Sequence, residues 1–339
     1  MDTNPNILIV GAGAGGLVLG YHLHLSGAEV TFYVREKRAE ELGRPQMLYS
    51  YDQQEMNTYG DFNVITDFAD VDASSVDFIL VTLDGSAVRS SDGEQLLRRI
   101  GDAFRYSSAE ILCFSVSVGI KDYYVETTGM NPERIKSGYF TFLSHPGVVP
   151  GQVVLSEAEK SELEKCDFAY RHFMGTGGVT LVGDKSDQAL AQFADLYSSN
   201  PHSKCGVTDA VTAQMADLIF PIFVANRIGD WPGPDAVVQD KSLWSMACGA
   251  SREIARLPVF GWKGSFAAVF LRGFVWRFAW LWMHKKCWPL DFDAFNRFHH
   301  GAKVIAQDID ILRDYLALGK KSGMEMPALT RLVGEVERA

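Results

Sequence analysis

Paired cysteines are missing from this sequence. The five it has, Cys113, Cys166, Cys205, Cys248 and Cys287, are scattered, odd in number and nowhere arranged as C-x-x-C. That pattern argues against a disulfide framework and against a cysteine zinc site. Positive charge is also short: 32 Lys and Arg against 42 Asp and Glu leave a net charge of −10. With no cationic excess to displace counterions from phosphates, nucleic acid is not an expected partner. Residues 1–5 carry no basic region of the kind that opens a secretory signal, so the expected setting is reducing and cytoplasmic. An uninterrupted run of about 18 apolar residues is lacking too. The nearest approach, 266–282, is broken by Arg272 and Arg277 and closed by His284, Lys285 and Lys286. It reads as a buried helix or a subunit interface, with a homodimer through 266–283, and not as a membrane span; peripheral membrane contact is the alternative.

What is present is globular. At 339 residues, 47% hydrophobic and 22% charged, the chain has material for two domains of ordinary size. Residues 6–10, 28–34, 76–82 and 109–115 are short apolar runs of the kind that buried parallel strands need. Between them, 17–26 and 93–104 have helical spacing, and Gly27 closes the first of these helices. Strands alternating with helices give an α/β class with a doubly wound parallel sheet. Residues 138–183 look richer in strand, with turns at 146–147, 150–151 and 175–178, and the charged stretch 157–165 reads as a solvated helical insertion. From 187 onward long helical patterns take over, including 207–228 and 302–318, with Pro221 expected to kink the first. The expected organisation is 1–186 as a nucleotide-binding domain and 187–339 as an all-helical substrate or dimerisation domain.

The sequence from Gly11 to Gly16, with Ala12, Gly13, Ala14 and Gly15 between, satisfies G-x-G-x-x-G. It sits between a strand and a helix, the context that makes the motif a dinucleotide (Rossmann) fingerprint. Gly11 allows the tight turn, Gly13 the approach of a pyrophosphate, and Gly16 close packing of helix on strand. The pyrophosphate would rest on the free N–H groups of the helix N-terminus. At the end of the second strand stands Arg35, followed by Glu36 and Lys37. An arginine there suits a ribose 2′-phosphate, which favours NADPH over NADH. Glu36 should point away from it on an extended chain. The ends of the next two strands, Thr82-Leu83 and Ser115-Val116, complete the expected cofactor set.

These motifs, together with Val30 to Arg35, Leu80 to Thr82, Pro150 to Val154 and Leu318 to Pro327, resemble ketopantoate reductase (2-dehydropantoate 2-reductase). The resemblance implies an N-terminal Rossmann domain, a helical C-terminal domain and a reductase reading the NADPH 2′-phosphate through Arg35. It breaks down at the chemistry. A family lysine after the strand ending at Thr82 is here Leu83-Asp84, and an Asn-Gly pair is here Ser117-Val118-Gly119. The family's catalytic lysine aligns near Asp217, and no lysine occurs between 210 and 227. Its carboxylate corresponds to Asp308 or Asp310.

Ketone reduction needs an acid or dipole at the oxygen that develops charge. A substrate other than ketopantoate, apolar or cationic, is therefore expected, with reduction at a C=O, C=N or activated C=C bond. Asp217, His145 and Asp308 are the catalytic candidates, and Asp84, Phe220 and Trp231 the substrate candidates. Phe223, Trp244 and Trp262 either line an apolar pocket or pack in the core. His299 and His300 read as structural or solvent-exposed, with no metal expected. The alternatives are a true 2-keto acid reductase with relocated groups and a catalytically inactive NADP-binding protein.

Overall fold

A computed structural model describes residues 4–149, 151, 153–154, 156–173, 177–231 and 234–338. Residues 150 and 152 of the family-like stretch at 150–154, and 175–176 of the glycine turn, lie outside them. The chain divides into two compact units, one of residues 1–149 and 156–208, the other of 150–155 and 209–339.

In the first unit, β1 (Asn6–Val10) leads into α1 (Ala14–Leu25), β2 (Glu29–Tyr33) and α2 (Glu36–Glu41). There follow β3 (Gln46–Ser50), β4 (Glu55–Tyr59), β5 (Asn63–Ile65) and β6 (Phe78–Val81). Next come α3 (Gly85–Arg89), α4 (Ser91–Phe104), β7 (Glu110–Cys113) and α5 (Ile120–Thr128). The unit ends with β8 (Ile135–Phe140), β9 (Phe142–Pro146), α6 (Glu157–Leu163), β10 (Phe168–His172), β11 (Gly178–Val182), α7 (Gln188–Ser198) and β12 (Lys204–Thr208). Eight strands form one sheet in the order β12-β11-β8-β7-β6-β1-β2-β5.

The apolar runs explain this sheet. Along β1, Ile7 and Ile9 enter the core on one face while Leu8 and Val10 enter the core on the other. Phe78 and Leu80 alternate with Ile79 and Val81 in the same way, as strands buried on both faces must. From β5 to β8 every pairing is parallel. The sheet is not parallel throughout, because β11 runs antiparallel to β8 and carries β12 with it.

Two sequence expectations change here. The β-rich stretch does not simply extend one sheet: β9 and β10 join β3 and β4 in a second sheet of order β4-β3-β10-β9. The hairpin at 46–59 escaped the sequence reading because its strands are only five residues each and lack a clean alternation of apolar and polar positions. The domain boundary also falls later than 186/187. The polar 183–187 stretch is only a turn, in which Asp187 caps α7 through the N–H groups of Ala189 and Leu190 and pairs with Lys136. Helix α7 and β12 then complete the first unit, which ends at Thr208.

The second unit is helical: α8 (Ala210–Gln214), a 3-10 turn (Met215–Ile219), α9 (Phe220–Ile228), α10 (Pro234–Gln239), α11 (Lys241–Ala255), α12 (Gly261–Phe270) and α13 (Gly273–Cys287). It closes with α14 (Phe292–Phe298), a π-turn (His299–Lys303), α15 (Ile305–Lys321) and α16 (Pro327–Val336). The expected helix over 207–228 is thus three pieces. Pro221 stands in the first turn of α9, where its missing N–H breaks no bond, so it begins a helix and does not kink one. The aromatic stretch 266–283 is not one buried helix either. It divides at Leu271-Arg272 into α12 and α13, bent by 94°, with Phe266, Phe274 and Phe278 exposed.

Close backbone approach limits substitution in the first unit. A Cβ on Gly101 of α4 would run into the carbonyl of Thr128 at the end of α5. Gly101→Ala should therefore lower unfolding free energy by about 1–3 kcal/mol, the usual cost of overpacking, read from the urea midpoint.

Candidate functional site

The glycine loop has the geometry that its sequence demands. Gly11 takes φ +105, open to glycine and strained for other residues, and its N–H donates to Tyr33 O at 3.1 Å. A Cβ on Gly16 would run into Gly11 O and Thr82 Oγ1, so glycine is what lets α1 lie against the end of β1. Gly13 differs. A Cβ there would meet nothing within 4 Å, and the residue is exposed. It is the N-cap of α1, without a side-chain capping bond and with no acid in the first turn. Open space over Gly13 and an uncapped helix N-terminus fit a dinucleotide pyrophosphate.

Around this loop the other cofactor candidates separate. Thr82 donates its hydroxyl to Gly11 O at 2.9 Å and so braces the turn. Ala12 and Ala14 are buried, and Ala12 O accepts from Arg38 Nε at 3.1 Å and from its Nη2 at 2.9 Å. Arg38, which sequence reading passed over, is the outer brace of the loop. Arg35 is the exposed N-cap of α2, its side chain without a hydrogen-bond or ion-pair partner among the described residues, and Lys37 is exposed two residues on. Leu83 and Val116 are partly exposed at the ends of β6 and β7.

Ser115 is a correction. It is buried, with its hydroxyl 2.7 Å from Leu83 O and 2.8 Å from Tyr124 Oη, so it ties the strand ends together and offers nothing to a cofactor. Asp84 is another. Its Oδ1 accepts from Ala87 N at 2.8 Å as the N-cap of α3, so the carboxylate expected to face substrate has a capping duty. His145 is the third. It lies buried on β9, with Nε2 2.9 Å from Tyr51 Oη and Nδ1 2.6 Å from Pro146 O. The expected turn is a strand of the second sheet, and the ring is held inside it.

In the second unit one face of α15 gathers the ionisable groups. Asp308 and Tyr315 stand seven residues apart on its buried side, two turns or about 10 Å. Tyr315 donates to Asp217 Oδ2 at 2.6 Å. Burial pushes the Asp217 carboxyl up to about 7, and the Tyr315 bond opposes this only in part. Asp308 is fully buried and lies 2.8 Å from His300 Nδ1. Burial raises its pKa, with His300 pulling the other way. Asp310 is on the surface with Arg313 at 3.0 Å, so of the two aspartates Asp308 is the one built into the interior.

The His300 ring stacks on Phe223 at 3.8 Å between centroids, with Phe220 at 6.2 Å. Sequence reading took His300 only as structural or solvent-exposed and missed Tyr315, which the spacing of 308 and 315 could have signalled. His299 stacks on Phe295, and burial lowers its pKa.

Trp231, Phe220 and Phe223 are all buried, which favours packing over a solvent-open substrate wall. Trp231 still has an indole N–H without a partner among the described residues. Its backbone takes φ +52, and its carbonyl accepts from Arg297 at 2.6 Å. Trp244 packs at Gly273, and Trp262 is exposed. His284, Asp291 and Asp293 come close enough to suggest a metal site. Asp291 caps α14, and Asp293 accepts from Trp280 Nε1 at 2.8 Å, so both carboxylates have structural duties.

A largely parallel sheet wound around a G-x-G-x-x-G turn, followed by a helical unit, defines a Rossmann-type fold. Comparison narrows the class. Residues 7–103 match the family described as ketopantoate reductase PanE/ApbA. Solved structures match over nearly the whole length. The 2-dehydropantoate 2-reductase of Geobacter metallireducens GS-15 is 18% identical with a TM-score of 0.66, covering 98% of this chain and 99% of its own. A D-mandelate dehydrogenase in complex with NADH is 17% identical, TM-score 0.66, with 98% of each chain covered. A PanE/ApbA family ketopantoate reductase from Ralstonia eutropha JMP134 is 15% identical, TM-score 0.66, covering 98% of this chain and 97% of its own. No curated protein matches the sequence. Residues 7–103 are thus similar to the ketopantoate reductase PanE/ApbA family, and the chain shares its fold with these solved structures.

Two outcomes follow from this geometry. Gly13→Val should still fold, since a Cβ there meets nothing within 4 Å, losing about 1 kcal/mol as a poorer N-cap, yet weaken dinucleotide binding at least about tenfold by filling the phosphate space, measured by fluorescence titration. For Asp217, the folded carboxyl keeps its proton to about pH 7 while an unfolded one loses it near 3.8. The cost of its charge is absent below the lower value, grows between the two and is complete above 7. Asp217→Asn should therefore gain stability over the native chain as pH rises from 4 to 7, levelling at about 1–3 kcal/mol, in urea unfolding across pH.

Proposed function

We infer that this protein is an NADPH-dependent reductase acting on a C=O, C=N or activated C=C bond of a small apolar or cationic substrate other than ketopantoate. Arg35 carries the cofactor half of this reading: exposed just beyond β2 and with no side-chain partner among the described residues, it suits a 2′-phosphate. The D-mandelate dehydrogenase of the same fold is in complex with NADH, so the two cofactors are the alternatives to separate.

When bound, the reduced nicotinamide supplies hydride; the proton and the orientation fall to this chain. Asp217 is the group suited to the proton. Its half-buried carboxyl stays protonated close to neutrality, and Tyr315 holds one of its oxygens in place. Protonated, it can serve an oxygen that develops negative charge; ionised, it attracts a cationic C=N group. Asp308 fixes the His300 ring through its Nδ1.

The chain has no lysine between 210 and 227 to hold a keto acid carboxylate, which sets it apart from a keto acid reductase.

NADPH oxidation followed against ketones, iminium compounds and 2-keto acids tests the reading. Turnover of ketones should fall above an apparent pKa near 7 while that of iminium compounds holds or rises, and Asp217→Asn should abolish both dependences. Turnover of 2-keto acids alone, or cofactor binding with no turnover at all, rejects the reading. Arg35→Gln should weaken NADPH about tenfold to a hundredfold, the worth of charge-assisted hydrogen bonds, and leave NADH binding nearly unchanged in the same titration.

A further inference from the structure

The outward faces of α12 and α13 are apolar where a surface helix is ordinarily polar. On α12, Trp262, Phe266 and Val269 are 76%, 62% and 57% exposed and fall along one stripe with Phe270. The inward positions are Gly264 and Ala268, and a Cβ on Gly264 would run into Ala255 O. Only small residues fit inside, so the aromatics stand outside. Helix α13 repeats the arrangement. Phe274 and Phe278, 73% and 71% exposed, lie in line with Leu281, while Trp280, Met283 and Cys287 face inward.

Charge says what covers this face. Residues 261–287 hold five Lys and Arg and not one Asp or Glu, in a chain whose net charge is −10. Lys263 is matched by Asp209 at 2.9 Å. Arg272, Arg277, Lys285 and Lys286 occupy exposed positions among the aromatics, with Lys286 set 5.9 Å over the Trp282 ring. Exposed rings interleaved with cations match the headgroup region of an anionic bilayer, where rings bury at the interface and cations meet phosphate. A second copy is a poor match, because a two-fold contact would set this acid-free strip against itself. Helices of 10 and 15 residues are each too short to cross. Among the described residues no single helix is long and apolar enough to span a membrane, and this pair passes only when its two bent halves are taken together.

We propose that α12 and α13 form a membrane-docking surface that lies in the interface of a bilayer containing anionic phospholipid. Flotation of the full-length chain tests this, using vesicles of phosphatidylcholine alone and of phosphatidylcholine mixed with phosphatidylserine. The chain floats with the mixed vesicles, less so at high salt, and its tryptophan emission shifts to the blue. Phe274→Ser combined with Phe278→Ser lowers the partition coefficient at least about tenfold, with an unchanged circular dichroism spectrum. Lys285→Glu with Lys286→Glu lowers it by about as much for the anionic vesicles only. Failure to float, or flotation unaltered by both pairs of substitutions, overturns the proposal. If the chain that fails to float also sediments as a dimer that the double Phe variant dissociates, the face belongs to a second copy.

Discussion

The first unit depends on how closely one helix lies against the end of one strand. With hydrogen in place of Cβ at Gly16, α1 comes down onto the carbonyl of Gly11, and Thr82 Oγ1 closes the gap from the neighbouring strand. Any side chain at 16 would lift the helix off the sheet. The same contact aims the free N–H groups of the α1 N-terminus at the open space over Gly13, where an anion can rest on them. Arg38 holds the loop from outside through Ala12 O. The phosphate cradle is therefore formed by packing before any ligand arrives.

In the second unit the organising element is the buried side of α15. Its helical repeat sets Asp308 and Tyr315 two turns apart, each paired with a group from elsewhere in the unit: His300 from the preceding π-turn and Asp217 from the 3-10 turn before α9. Two carboxyls thus sit in surroundings that favour their neutral forms, Asp217 bonded to Tyr315 and Asp308 to His300 and Gln307. Such pairs are one mark of sites that move protons, though structural networks also produce them.

Readings that rested on local pattern agree with the structure. The glycine spacing, the strand at 6–10 with residues alternating between two cores, and the helical second half are all written in short stretches of chain. Readings that needed the direction of a side chain fared differently. Ser115 and Asp84 stand at strand ends, where cofactor and substrate groups were expected, but each turns to a backbone partner. His145 was placed in a turn because Pro146 and Gly147 follow it, and strand pairing with β10 overrode that signal. The 266–283 stretch was expected to be one buried helix or a subunit interface; it is two helices divided at Leu271-Arg272, with several of its aromatics outward.

The sequence alone determined the dinucleotide loop, the α/β class and the change to helices, because hydrogen-bond periodicity and the steric freedom of glycine act within a few residues. It also placed Arg35 at the end of β2, a position that follows from strand length. Only the tertiary structure decided that β11 and β12 reverse the sheet, that the first unit runs to Thr208, and that Asp308 and not Asp310 lies inside. Those outcomes depend on which distant segments meet. A half-buried carboxyl such as Asp217 takes its character from the neighbours that remove its water, and residue 315 lies far along the chain from 217.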